Sequence, residues 1–501
     1  MTTFFKPLSA THAWALGAIA VSFVAIRIAS NTNAAKAKRS GASLAPGPKR
    51  WPFVGSVLKF PKSRWYESFS SWAEEYGDVV YVDLMGIPMI VLNSLDAIHE
   101  LTEKRMHIHS NRPHTTLVCD IMGFGYTLTL KQPDKELNEQ RRILQKAIGP
   151  RVVGEYDHFL NRGCSDLLQR LDGFSGEPFD HVLKVLGELL TRLAYGNHVF
   201  DEYGAELVKA NIEGVELVSW VFSRLWVVDI IPLLRYVPAW FPGATFQRIG
   251  IQARAYVQII RHGGFEKVKA AMAKGIADES ILSKYLMEES ASEDNLRDAV
   301  AVMYATGVDS TATTITNFLY AVALYPEWQR KIHDEMDREL GRGHVPTAED
   351  IGKLNIFNAV MKETLRWLAT VPLGVPHVSA KEDIFNGYYI PKGTMLHCNI
   401  GYVLRDKRIW GPDSLEFNPN RFLSKFNPTF DDLPDIWSVP FGFGRRICPG
   451  RYIAQRIVLQ YASAILATYE VLPCEGEQLT PNEPFDDAAI RYTSIAFSML
   501  V

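Results

Sequence analysis

Ten residues near the C-terminus, Phe441-Gly442-Phe443-Gly444-Arg445-Arg446-Ile447-Cys448-Pro449-Gly450, constrain this chain more than any other segment. Gly442 and Gly444 permit positive φ and let the backbone turn tightly. Pro449 suits the first position of a helix, and a helical pattern runs on through 451–469. Cys448 is therefore expected at a helix N-terminus, where unpaired amides and the positive end of the dipole stabilise a thiolate. A thiolate fixed in a tight loop is a soft metal ligand.

The other cysteines, Cys119, Cys164, Cys398 and Cys474, stand singly. With no C-x-x-C pair and no dense framework, neither a disulfide scaffold nor a structural zinc site is indicated, and a reducing, cytosol-facing compartment fits. A formal net charge of -3 gives no reason to expect nucleic acid.

The rest of the chain reads as mainly α with small β-sheets. Val79–Leu84 and Pro88–Leu92 alternate around Met85-Gly86, a hairpin pattern. Helical patterns cover 137–148, 155–171, 176–195, 293–325, 326–340, 356–368 and 449–468. Residues 205–245 read as an aromatic helix-loop-helix, either core or, beside a membrane, a surface that dips into lipid. The order is not an alternating βαβ, and no G-x-G-x-x-G follows a strand, so the chain offers no dinucleotide site of its own.

The N-terminus differs from this body. Ala13 to Ile26 carries no charge, and with its flanks the stretch approaches the ~20 residues that span a bilayer. Lys36, Lys38 and Arg39 follow it, against Lys6 before it. A cleaved signal peptide normally carries its charge on the other side. The expectation is one transmembrane helix in 1–30, with the C-terminal bulk on the cytosolic side. A basic linker and Pro-rich hinge fill 31–55, and a catalytic domain fills 56–501.

The 441–450 segment resembles the haem-binding loop F-x-x-G-x-R-x-C-x-G of the cytochrome P-450 family, the thiolate-haem monooxygenases. All five specified positions match. The resemblance implies the P-450 fold over the body, with haem b as cofactor. Cys448 would be the proximal iron ligand, Arg446 a propionate partner, and Phe441 a residue packed near the ligand loop.

Three more segments agree in order. Glu363-Thr364-Leu365-Arg366 resembles the family's E-x-x-R, with Arg421 in Phe417-Asn418-Pro419-Asn420-Arg421-Phe422 as the third member. Glu and Arg at i, i+3 share a helix face and can pair. Thr306-Gly307-Val308-Asp309-Ser310-Thr311 resembles A/G-G-x-D/E-T-T/S, with Thr306 for the usual alanine and Ser310 for the usual threonine. Thr306, Gly307, Ser310 and Thr314 share one face, where Gly307 leaves room for oxygen. Asp309 and Ser310 would relay protons through water. Leu137-Asn138-Glu139-Gln140-Arg141 stands where the family has W-x-x-x-R. Arg141 keeps the propionate-binding arginine, and Leu137 lacks the indole N–H. His377 stands where the family often places a further propionate partner.

By resemblance the function is oxygenation of a hydrophobic small molecule by hydroxylation or epoxidation, with NADPH electrons from a membrane-bound NADPH–cytochrome reductase. Cytochrome b5 is a second possible donor, and the endoplasmic reticulum membrane is the expected location. Arg445, Arg451 and Arg456 could meet an acidic partner or form a plain solvated face. The substrate pocket is expected from loop 107–130, residues 215–232, the helix face near Thr306, Val371–Val375 and Ile490–Thr493. Pro238 to Gly243 and the hinge look like fungal members that decorate natural products, which makes a terpenoid the expected substrate class. Two other functions stay open: a reductase-independent thiolate-haem isomerase or dehydratase, and a non-catalytic haem-binding sensor.

Overall fold

The large core is a stack of helices, one of which is buried on every side. The computed structural model describes residues 33–288, 291–476, 478–481 and 496–500. The expected membrane anchor in 1–30 and the segment Ile490–Thr493 lie outside the described residues. No helix among the described residues is long and apolar enough to cross a membrane.

The fold is mainly helical. In chain order its principal helices are α1 (33–39), α2 (Trp65–Tyr76), α3 (Lys135–Ile148), α4 (Phe179–Tyr195) and α5 (Asn197–Phe222). They are followed by α6 (Glu293–Gly307), α7 (Asp309–Leu324), α8 (Pro326–Glu339), α9 (Asn355–Trp367) and α10 (Arg451–Thr468). Helix α4 is amphipathic, with Val182, Leu183, Leu186, Leu189, Leu190 and Leu193 recurring at i, i+3 and i+4 and all buried. Helix α7 is buried from Thr311 to Ala323 and packs between α4 and α10. An all-round buried helix has no solvent face, so its hydroxyls can bond only to its own backbone or to a neighbour, and those of Thr313 and Thr316 find no partner among the described residues.

Beside this core lies a four-stranded sheet, β1 (Val79–Leu84), β2 (Ile87–Leu92), β3 (His377–Val378) and β4 (Met395–Cys398), in the order β1-β2-β4-β3. The β1–β2 hairpin is antiparallel with Val80 opposite Val91, and β2 runs parallel to β4.

Several boundaries depart from the sequence reading. The long helix expected over 293–325 is broken at Val308 into α6 and α7. Gly307 is a poor helix former, and Thr306 and Ser310 direct their hydroxyls to carbonyls four residues back, which loosens and bends a helix. The helix expected from Pro449 starts at Arg451, with Gly450 as its N-cap. Pattern 205–245 resolves into the end of the long α5, then short turns at Val227–Ile230 and Pro232–Tyr236, because Pro232 and Pro238 interrupt it. The expected linker has structure of its own: 33–39 is helical, Ala37 is buried, and Ser43 bonds to Tyr389 beside the strand Tyr388–Ile390.

Candidate active site

A cavity of about 810 Å³ lies between the Cys448 loop, the α6–α7 face, loop 112–130 and the segment 370–377. Its floor is the loop before α10. Gly444 adopts φ +57, and a Cβ there would collide with the Thr102 carbonyl, so only glycine lets this turn close. The Cys448 amide donates to the Phe441 carbonyl at 2.8 Å, which folds the loop back on itself. The sulfur receives the amides of Gly450 and Arg451, with the Arg141 and Arg451 guanidiniums nearby, all favouring a thiolate. Burial outweighs them and pushes the thiol above its ordinary range. Such a sulfur becomes a stable thiolate when a cation shares its charge, which is the role of a metal ion.

Across the cavity stand Thr306, Gly307, Ser310, Thr311 and Thr314. Thr306 Oγ1 donates to the Val302 carbonyl at 2.8 Å, and Ser310 Oγ to the Thr306 carbonyl at 3.3 Å. Asp309 is not among the lining residues, so of the expected relay pair the structure brings only Ser310 to the cavity. A Cβ on Gly307 would meet Leu190 Cδ1 at 2.9 Å, so the missing side chain also lets α4 come close.

The rim holds four basic side chains. Arg446 donates to the carbonyls of Ser110 (2.8 Å), Leu128 (3.3 Å) and Lys131 (2.6 Å). Arg141 donates to the Ile447 carbonyl at 2.9 Å. Arg112 donates to the carbonyls of Val375 (2.5 Å) and Pro376 (2.8 Å), and its buried Nε has no partner. His377 shares a hydrogen bond with the His109 carbonyl at 2.7 Å through Nδ1. Burial holds all three guanidiniums below their usual range, and Arg446 and Arg141 repel one another. His377 is pushed well down by burial and then by Arg112. Among the described residues no carboxylate pairs with Arg112, Arg141 or Arg446. Unpaired buried cations are expensive, so the cluster fits a ligand that brings its own carboxylates, as haem does with its two propionates. The apolar lining, from Val118, Phe124, Val302, Met303, Val371 and Leu373 among others, fits the macrocycle and an apolar substrate.

Arg112 was missed in the sequence. Asn111-Arg112-Pro113 reads as an ordinary polar loop, and only the fold shows its guanidinium buried beside Arg446. Phe441 lines the cavity, and Leu137 is buried away from it.

Behind the site, Arg366 gives Glu363 two bonds of 2.8 Å, and Arg421 adds a third contact at 3.2 Å. Arg366 also donates to the carbonyls of Leu404, Ser414 and Glu416. This network ties the end of α9 to the stretch that leads into the cysteine loop.

The cytochrome P450 family profile matches residues 45–496. The chain belongs to the cytochrome P450 family. It is similar to cytochrome P450 monooxygenase 208 of Postia placenta, with 32% identity over 85% of this chain and 84% of that one. It is similar also to monooxygenase COX2 of Coprinopsis cinerea, at 32% over 87% and 84%, and to monooxygenase ple1 of Rhodocybe pseudopiperita, at 30% over 90% and 88%. As a P450 of the type found in these fungi it is a haem-thiolate monooxygenase. On the cysteine side of this P450, Arg456 pairs with Asp157 and Arg451 stacks on Tyr452, leaving Arg445 as the exposed member of the expected basic trio.

Proposed function

We propose that this P450 oxygenates a hydrophobic small molecule with a terpenoid skeleton in natural-product biosynthesis, using O2 and NADPH electrons delivered by a separate reductase. The observation that carries the reading is the opposition of Cys448 and Ser310 across one apolar cavity rimmed by arginines without carboxylate partners. Haem held there by a thiolate supplies oxygen binding and O–O cleavage.

The chain's own residues have distinct tasks. Cys448 would hold the haem iron through its sulfur, with its amide tied to the Phe441 carbonyl and its sulfur facing the Gly450 and Arg451 amides. Arg112, Arg141 and Arg446 would hold the propionates by charge-assisted hydrogen bonds. His377 joins them: with Nδ1 committed to the His109 carbonyl, a donor at Nε2 requires the imidazolium, which the propionate charge favours. Ser310 hands a proton to the distal side. Its bond to the Thr306 carbonyl is longer than that of Thr306 to Val302, so its hydroxyl turns more easily. Thr306 narrows the space above the cofactor. Asp309 supplies protons to Ser310 through water from outside the lining. The apolar wall excludes bulk water.

Membrane placement belongs to the same proposal. Trp240 and Tyr236 are 79% and 78% exposed, with Trp220, Leu225, Val227 and Leu233 also exposed on the same stretch. Such a cluster suits a lipid surface, here the endoplasmic reticulum beside the anchor expected in 1–30. Arg445 suits an acidic reductase or cytochrome b5.

The test is oxygen uptake by membranes carrying the protein and a fungal reductase, with a metabolite extract as substrate. NADPH-dependent uptake with an oxygenated product is expected. Turnover of an organic hydroperoxide without NADPH would instead favour the isomerase or dehydratase reading, and thiolate haem with no product under reductase would favour the sensor.

A further inference from the structure

On the distal wall the Thr314 hydroxyl proton is already committed. Thr314 Oγ1 donates to the Ser310 carbonyl at 2.8 Å. A threonine hydroxyl has one proton, so the 3.0 Å contact between Thr314 Oγ1 and Thr370 Oγ1 must take its proton from Thr370. Both residues line the cavity, and Thr370 makes no other described side-chain bond. The pair therefore offers the cavity oxygen lone pairs and no free O–H. It ties α7 to the segment after α9, opposite apolar neighbours Val371 and Leu365.

We propose that the Thr314–Thr370 pair is a specificity-determining acceptor site that binds an O–H or N–H donor on the substrate. The inference rests on the monooxygenase reading above and narrows its substrate class to an apolar skeleton that already carries a hydroxyl or amine. Position 314 lies one helical turn beyond Ser310, about 6 Å along the axis. A donor seated on it fixes which carbon sits before Ser310. A bare hydrocarbon has nothing to give these lone pairs. The preceding step must then be one that installs the donor, such as water capture in a cyclisation or an earlier oxygenation.

The test uses haem-loaded enzyme and four iron-coordinating probes: 4-phenylimidazole and its 2-, 3- and 4-hydroxyphenyl analogues, titrated by the shift of the Soret band. A hydroxyl that finds an acceptor in a dry cavity gains about fivefold in affinity. At least one hydroxy isomer should bind about fivefold tighter than the parent. Thr314→Val and Thr370→Val keep the branched shape and should each remove that advantage without changing the parent's Kd. If no isomer gains, or the gain persists in both variants, the acceptor site is wrong. If 4-phenylimidazole itself fails to shift the band, the haem reading falls first, and this inference with it.

Discussion

Asp229 Oδ1 accepts the main-chain amide of Leu117 at 2.8 Å, across 112 residues of chain. The same carboxylate takes the Thr116 amide, against a burial that pushes its pKa up. Together these bonds cap the π-helical turn Thr116–Ile121, whose own preceding residue Thr115 makes no side-chain cap. Arg235 to Asp120 (2.9 Å) joins the same two segments, and Arg254 on the helix Thr245–Gln258 adds a bond to the Ile121 carbonyl (2.8 Å). Both segments roof the cavity. Removing a cap costs about 1 kcal/mol, so Asp229→Ala should release 4-phenylimidazole several times faster in stopped flow. Asp229→Asn keeps an acceptor oxygen and should stay within about twofold of wild type.

Glu363, Arg366 and Arg421 are buried together, with Glu363 and Arg366 fully so. Glu363→Ala strands two guanidiniums inside the protein. A loss of about 3–5 kcal/mol is expected, read as a lower unfolding midpoint and poor haem incorporation on expression.

Arg112 is the rim arginine with an unpartnered Nε. If it holds a propionate, Arg112→Leu removes a charge-assisted bond of about 1.5–3 kcal/mol. Haem should transfer to apomyoglobin roughly ten- to a hundredfold faster, while the reduced CO spectrum of the remaining holoenzyme keeps its thiolate form. Cys448→Ser should abolish that thiolate form altogether.

Ser310→Ala should lower product formed per NADPH consumed, with product formation falling by about a hundredfold or more. Ser310→Thr keeps the hydroxyl and stiffens its rotamer, so coupling should match or exceed wild type. Unchanged coupling in Ser310→Ala would remove Ser310 from the relay.

His397 on β4 is buried against Trp65 and Phe69, and burial lowers its pKa from 6.5 to about 4. The unfolded chain binds a proton there near pH 6.5 and the folded chain only near 4. Between those values the unfolded state holds the extra proton, so stability falls as pH drops through that window, by up to ~3 kcal/mol. His397→Phe should flatten the slope of unfolding midpoint against pH between 6.5 and 4, and leave it unchanged at neutral pH.

What could be read in the sequence was what sits within one short segment. The Cys448 loop and the Glu363–Arg366 pair each carry their chemistry in ten residues or fewer, and the helix-rich order followed from apolar periodicity. Arg112, Thr370 and Asp229 could not be read, because each acts through a partner far along the chain or on another element: Pro376, Thr314 and Leu117. Asp309 shows the converse limit. It sits beside Ser310 in sequence, but neighbouring positions on a helix point about 100° apart, and only Ser310 lines the cavity.

Arg446 spans 315 residues to reach Lys131, and it sits two positions before Cys448. During synthesis the residues before 441 can bring loop 110–131 and most of the helical core into being, but neither the sulfur nor this arginine yet exists. The pocket cannot seize its cofactor until synthesis has passed Cys448. A stop or frameshift anywhere before Cys448 would therefore yield a chain without iron, however well its helices pack.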